Sequence, residues 1–243
     1  MIVFTRRFRP RFPLELAELL LPVAGERFTS PRRVSPLLVK IWCAEGKASG
    51  LVGRWVPDRT VLSDLATFPK LLERLGATTR RDIRRAMDKD GLVREDDWSV
   101  DQIVDFHRHH DATNPNLPDR DELQRLHDAG RLTVSAAVVD GEALAVHASI
   151  EDFPRVRFLK GYGKRKEVDT PARYSLVGRA NKTLHYLDMA AYHAAGFETY
   201  DWGGFSGVPD NGIDRFKLQF LGEVSSQVHF RGVLPPGARD VAF

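Results

Sequence analysis

Four stretches of the chain hold residues whose type and spacing could do chemistry. Asp201 stands between Tyr200 and Trp202 and is followed by Gly203 and Gly204. A carboxylate at a strand end can accept a proton from an attacking amine or orient it. It can equally close a turn by hydrogen-bonding the Gly203 and Gly204 amides. The two glycines either let a ligand approach the backbone or serve the turn alone. Arg80, Arg81, Arg84 and Arg85 fall within two helical turns, and the pairs Arg81/Arg85 and Arg80/Arg84 are four residues apart, so each pair shares a face. That face either binds phosphates or is simply solvated. The stretch Lys160–Lys182 carries Lys160, Lys164, Arg165, Lys166, Arg173, Arg179 and Lys182 against Glu167 and Asp169 only. A helix N-terminus there would present backbone amides to a phosphate, with Lys164, Arg165 and Arg173 as side-chain cations. The fourth stretch is Phe216-Lys217. On spacing alone it reads as a core aromatic and a solvated helix lysine.

Other reactive residues point to less. His107, His109, His110 and Asp111 have a metal-like look. A zinc site needs three or four converging ligands, so the stretch reads as an exposed helix end and no metal site is expected. His147 alternates with apolar residues in a strand and can face a site, as can Tyr162; His185 and His193 read as structural residues of a long helix. Cys43 is the one cysteine, which excludes an internal disulfide framework and a multi-cysteine metal centre. Ser225 and Ser226 form no nucleophile elbow, so a Ser-His-Asp hydrolase is not expected.

These residues need elements to hold them. Met1–Phe8 and Leu37–Cys43 read as strands, Leu14–Leu20 as a short helix after Pro13, and Thr60–Leu75 as partly helical. Helices are expected over Thr78–Asp90, Ser99–His110 and Asp119–Ala129, with a loop over Asn114–Pro118. The period then changes. Leu132–Val139, Glu142–Glu151 and Arg155–Gly161 read as an antiparallel meander whose first turn is Asp140-Gly141. A long helix over Leu176–Ala195, a strand over Thr199–Trp202, a short helix over Gly212–Phe220 and a strand over Val224–Val233 complete the order. This is an α/β (α+β) pattern with a mixed, mostly antiparallel sheet flanked by helices. It divides into an N-terminal extension or reduced lobe, residues 1–77, and a main domain, residues 78–243.

The 243 residues are 42% hydrophobic and 28% charged, with a net charge of +3. That composition excludes collagen, coiled coil and extended disorder. The length lies between one and two domains, taking roughly 150 residues per domain. No stretch reaches the ~18–20 apolar residues that span a bilayer. Leu14–Ala24 carries two glutamates, unlike a signal peptide, and a cytoplasmic location is expected.

Two segments resemble the Fem family of non-ribosomal aminoacyltransferases and its shorter FemAB-like relatives. One is Thr79-Arg80-Arg81-Asp82-Ile83-Arg84-Arg85-Ala86 followed by Gly91. The other is Tyr200-Asp201-Trp202-Gly203-Gly204 followed by Gly212-Ile213-Asp214-Arg215-Phe216-Lys217, then Phe220 and Gly222-Glu223. The resemblance covers about 155 residues of the chain, with motifs over about thirty of them. It implies a GNAT-like acyltransferase fold. It also implies that Phe216 and Lys217 bind the acyl donor and stabilise the transition state, since a fixed cation at the carbonyl oxygen binds the oxyanion more strongly than the ground state. Asp201 is expected to position the amine. Gly203, Gly204, Tyr162, Arg81, Arg85, Lys164, Arg165 and Arg173 are expected on the donor side. The expected activity is transfer of an aminoacyl or acyl group to an amine acceptor, with no tightly bound cofactor. The donor is aminoacyl-tRNA, bound by its acceptor end, or else acyl-CoA as in N-acetyltransferases. The Arg/Gln-x-x-Gly-x-Gly/Ala pattern usual for coenzyme A is absent, since Gly178 stands alone. The contrasting expectation is a catalytically inactive GNAT-fold module that binds RNA or a partner. Acceptor and oligomeric state are not legible in the sequence.

Overall fold

The computed structural model describes residues 2–8, 14–20, 27–29, 37–44, 47–111, 119–164, 170–234 and 240–242. In chain order the elements are β1 (Ile2–Phe8), β2 (Leu14–Leu20), β3 (Arg27–Thr29), β4 (Leu37–Ala44), β5 (Val52–Asp64), a 3-10 turn (Leu65–Lys70), α1 (Leu71–Arg74), α2 (Ala77–Asp88), β6 (Val93–Glu95), α3 (Val100–Asp111), α4 (Arg120–Asp128), β7 (Leu132–Val139), β8 (Glu142–Asp152), β9 (Arg155–Gly163), α5 (Pro171–Ala194), β10 (Thr199–Gly204), α6 (Gly212–Leu218), β11 (Glu223–Leu234) and β12 (Asp240–Ala242). Among the described residues no helix is long and apolar enough to cross a membrane.

The chain divides into two compact units: Met1–Thr60 with Gly204–Val208 and Val224–Phe243, and Val61–Gly203 with Pro209–Glu223. The sequence placed a division at 77/78 instead. Strand pairing accounts for the difference: β11, from the end of the chain, pairs antiparallel with β4. In the first unit β1 pairs antiparallel with β2, and β2 runs parallel to β4. Leu19, Phe28, Val39, Ile41, Phe230 and Leu234 form its core. The expected helix over Leu14–Leu20 is therefore a strand. Its leucine-rich sequence has good helix propensity, but ladders on both sides satisfy its backbone, and tertiary pairing overrides a weak local preference. The helical tendency expected from Thr60 begins only after Asp64, whose side chain accepts from Ala66 N–H at 2.8 Å; β5 holds the residues before it.

The second unit is built on the β7–β8–β9 meander, with β6 pairing antiparallel with β7 and β10 parallel to β9. The β7–β8 turn places Asp140 and Gly141 at φ 51° and 76°, the left-handed pair a tight hairpin requires. Strand periodicity of two sorts the meander's side chains. Val134, Ala136, Val138, Val146, Ala148 and Tyr162 pack with Ile103 and Phe106 of α3 and Leu123 of α4. Ala137, Val139 and Ala145 pack with Ala86 of α2 and Val177, Ala180 and Leu184 of α5. Helix α5 starts five residues before the expected Leu176. Thr170 caps it by accepting from Arg173 N–H at 3.3 Å, and Pro171 occupies the first turn, where its missing N–H costs nothing. The remaining expected helices and strands of this unit are present with small shifts at their ends, and the expected Asn114–Pro118 loop lies outside the described residues. The fold is mixed and mostly antiparallel, as the order of elements implied.

Candidate functional site

Strands β9 and β10 pair over only three residues, Thr199–Asp201 against Arg155–Arg157. Beyond them a cavity of about 790 Å³ is lined by Phe158 and Gly161 of β9, Trp202 of β10, Asn181 and His185 of α5, and Phe216 and Lys217 of α6. A register shift between the Ala148/Lys160 and Ser149/Phe158 pairs leaves Leu159 as the extra residue of a β-bulge, which re-aims a strand locally. At Gly161 a side chain would strike the Phe158 ring, with its Cβ at 2.5 Å from Cζ.

Lys217 is buried, with 9% of its surface exposed. Its ammonium donates to the Gly203 carbonyl at 3.3 Å. Gly203 has φ +76°, and a Cβ there would sit 3.3 Å from the Phe158 carbonyl oxygen, so the turn that holds Lys217 requires glycine. Asn211 begins α6, accepting from Ile213 N–H at 2.8 Å and Asp214 N–H at 3.1 Å. Phe216 packs edge-on to Trp202, with centroids 6.2 Å apart, and tilts over His185 at 5.4 Å.

Asp201 corrects an expectation. It is fully buried. Its Oδ2 accepts from Arg155 Nε at 3.2 Å, Arg155 Nη2 at 2.5 Å and Arg157 Nη1 at 2.5 Å. Its Oδ1 accepts from Gly203 N–H at 2.9 Å. The carboxylate is not among the cavity's lining groups. This geometry matches the turn-closing alternative rather than an amine-positioning base. Asp201 shapes the turn whose Gly203 carbonyl holds Lys217.

Helix α5 supplies polar groups that the sequence reading left as structural. Asn181, His185 and Asp188 sit at i, i+4 and i+7, one face of the helix. Asp188 accepts from Ser135 Oγ at 2.7 Å, Arg94 Nε at 3.0 Å and His147 Nδ1 at 2.7 Å. His147 Nε2 lies 3.2 Å from Asn181 Oδ1. His185 Nδ1 meets the Tyr200 hydroxyl at 3.1 Å, and its ring lies 4.0 Å from that of His147. Burial pushes the His185 imidazole well below the ordinary histidine value, and the charges of His147 and Lys217 add to this. The ligand atoms of His147, His185 and Asp188 lie within 4.8 Å of one another. Asp188 is already occupied by three donors, one of them a guanidinium whose charge opposes a cation. Both oxygens of the Asp188 carboxylate are thus engaged by groups of the protein itself.

A second cavity of about 660 Å³ is lined by Arg81, Arg85, Arg179 and Lys182, with Tyr174 and Ser175 from the start of α5 and with Gly212 and Phe216. Phe216 thus borders both cavities. Arg179 and Lys182 are paired with Asp90 and Asp82, each at 2.7 Å. The Arg81 and Arg85 side chains, 76% and 59% exposed, share the same two carboxylates at longer range, 3.9 Å to Asp82 and 3.6 Å to Asp90.

The other expected donor residues are placed differently. Lys164 and Arg173 both pair with Glu142, at 2.9 Å and 2.5 Å. The Lys164 and Arg173 contacts hold the Glu142 carboxyl below its usual range. Neither cation lines either cavity; the cations that line the second are Arg81, Arg85, Arg179 and Lys182. Arg165 lies outside the described residues. Tyr162 is opposite Val146 in the β8–β9 register and packs on His107 across the α3 face, with centroids 4.0 Å apart. It is therefore a core residue and not a donor contact. His147, opposite Gly161, points to the α5 face. His107, expected on an exposed helix end, is buried. Gly204 belongs to the first unit. The α5 spacing of Asn181, His185 and Asp188 was visible in the sequence, but only the β8 register shows that His147 meets it.

No protein-family model matches the chain, and no curated protein matches it in sequence. Solved structures do match in fold. FemX superposes with a TM-score of 0.60 at 11% identity, covering 96% of this chain and 84% of FemX. L-PGS from Bacillus licheniformis gives 0.55 at 12% identity over 79% of this chain and 67% of that one. The C-terminal domain of an Agrobacterium fabrum protein described as a lysylphosphatidylglycerol synthetase gives 0.54 at 16% identity, covering 80% and 68%. Identities this low speak for the fold alone. The chain has the fold of FemX and L-PGS.

Proposed function

We propose that this chain is an N-acyltransferase that moves an aminoacyl group from aminoacyl-tRNA to an amine. The observation that carries the reading is Lys217. It is a buried cation held by the Gly203 carbonyl at the edge of a cavity, beside Phe216, whose other border is a basin lined by arginines and a lysine. The acyl carbonyl sits in the first cavity and the donor's phosphates at Arg81 and Arg85. The amine nitrogen attacks the carbonyl carbon directly within a ternary complex. Negative charge develops on the carbonyl oxygen, and the Lys217 ammonium stabilises it. Collapse forms the amide and expels the donor's ribose oxygen, which takes up a proton, while the attacking nitrogen loses one. The resemblance in Phe216-Lys217 and the fold shared with FemX support an aminoacyl donor.

Acyl-CoA is the second reading. It is favoured by the short β9–β10 pairing and the bulge at Leu159, which open a slot where an extended thioester can lie. The chemistry at Lys217 is the same, with sulfur as the leaving atom.

Hydroxylamine serves as an acceptor-independent amine, and hydroxamate formation is followed with a pool of aminoacylated tRNA or with acetyl-CoA. The wild type is expected to form hydroxamate from one donor, and Lys217→Met to lose that rate while keeping its fold. A tRNA donor binding several phosphates weakens steeply as salt rises, and a single pyrophosphate contact much less. Full activity in a folded Lys217→Met overturns the assignment. Tight RNA binding without turnover of either donor identifies an inactive binding module instead.

A further inference from the structure

The His147–Asp188 cluster is an unusual use of a protein interior. Arg94, Ser135 and His147 all converge on the Asp188 carboxylate, and Ser135, His147 and Asp188 are nearly fully buried. Burying ionic groups is a poor route to stability, because desolvation offsets most of their attraction. The cluster does, however, fix one ring. Asp188 holds His147 by Nδ1, and the outer nitrogen, Nε2, points to Asn181 Oδ1 at 3.2 Å. The Asn181 amide has its oxygen toward His147. Its Nδ2 group has no hydrogen-bond partner among the described residues, and Asn181 lines the same cavity as Lys217.

We infer that Asn181 is a second hydrogen-bond donor to the acyl carbonyl oxygen, working alongside Lys217, and that His147, clamped by Asp188, is its positioning residue. The inference rests on the acyltransferase reading above. As the amine attacks and the carbonyl π electrons move onto oxygen, Asn181 Nδ2–H and the Lys217 ammonium both shorten their contacts to it. When the intermediate collapses, the electrons return and the donor's oxygen or sulfur leaves. No proton passes through His147. A donor fixed in advance costs no reorganisation at the moment of reaction. A freely turning amide would present its oxygen to the developing charge half of the time, and the His147 contact prevents this.

The test uses the full chain and the hydroxamate assay, with aminoacylated tRNA and acetyl-CoA as the donors tried. Asn181→Ala and the near-isosteric Asn181→Asp are expected to lower kcat by about 100-fold, the scale for losing one oxyanion donor, with KM for the donor changed less than about threefold. His147→Gln, whose amide still offers Asp188 a partner, is expected to lower kcat about tenfold in the wild-type background. In the Asn181→Ala background it should change kcat less than about twofold, because a residue that acts only through another gives a non-additive cycle. A merely structural His147 would give additive losses, and that result overturns its positioning role. Asn181 variants within about twofold of wild type, while Lys217→Met is inactive, overturn the inference and leave the acyltransferase reading intact. Wild-type protein that forms hydroxamate from neither donor overturns that reading and the Asn181 role with it.

Discussion

The two faces of the β7–β9 meander are made from alternate residues of the same strands, yet they are built on opposite principles. The face toward α3 and α4 is apolar, with Tyr162, Val146 and Ala148 set against Ile103, Phe106 and Leu123. The face toward α5 is apolar at one end, where Ala145 meets Leu184. Further along it carries Ser135 and His147 against Asp188 and Asn181. Apolar burial stabilises a unit by area, without direction. A buried ion cluster adds little net stability, and this one lies beside the cavity that Asn181 lines. One face is held by apolar area, and the other is organised around the Asp188 carboxylate.

Substitutions can break or sharpen this contrast. The largest effect is expected at Asp201→Ala, which removes the buried carboxylate that Arg155 and Arg157 both meet. Unfolding in denaturant should show a loss of about 3–5 kcal/mol, the scale for breaking a buried pair. Lys217→Met should cut acyl transfer by about 10²–10³-fold with the fold intact by circular dichroism. On the apolar face, Tyr162→Leu should lower stability by about 1–3 kcal/mol and leave the rate per folded molecule unchanged; a fall in kcat would place catalysis on both faces. At His185 the sign follows from its depressed value. Below about 6.5, the ordinary histidine value, the unfolded chain takes up a proton that the folded chain refuses. Stability present above that pH is then lost as the pH falls, by at most about 1.4 kcal/mol per unit. A chemical-denaturation series between pH 7.5 and 5, chosen as roughly one to one and a half units on either side of that value, should be flatter for His185→Phe than for wild type. Smallest in stability are Arg81→Ala and Arg85→Ala, expected within about 0.5 kcal/mol. If a tRNA donor binds, each should reduce its salt slope by about one.

Much of the second unit was legible in the sequence because its signals are local. The Asp140-Gly141 turn, the period change after Gly130 and the Gly212–Lys217 helix each depend on a few adjacent residues. Leu14–Leu20 was misread because its strand state is set by β1 and β4, both distant from its own propensity. In the candidate site, Phe216 and Lys217 were found through a motif resemblance, and composition alone would have left them as core and surface. Tyr162 and His147 were equally eligible until the β8–β9 register sent one to each face. Lys164 and Arg173 looked like free cations because Glu142, their partner, lies more than twenty residues earlier than either. Charge counts along a chain do not reveal which cations are already neutralised across a fold.

Phe216 borders both cavities, as Gly212 does one helical turn earlier, so its ring is a wall that the two share. A rotamer change there would alter the space on both sides at once. A small side chain in its place would join the chambers into one continuous channel. In the acyltransferase reading the donor runs past this ring, with its phosphates on one side and its acyl carbonyl on the other, so the size of one side chain would set how the donor bends between them.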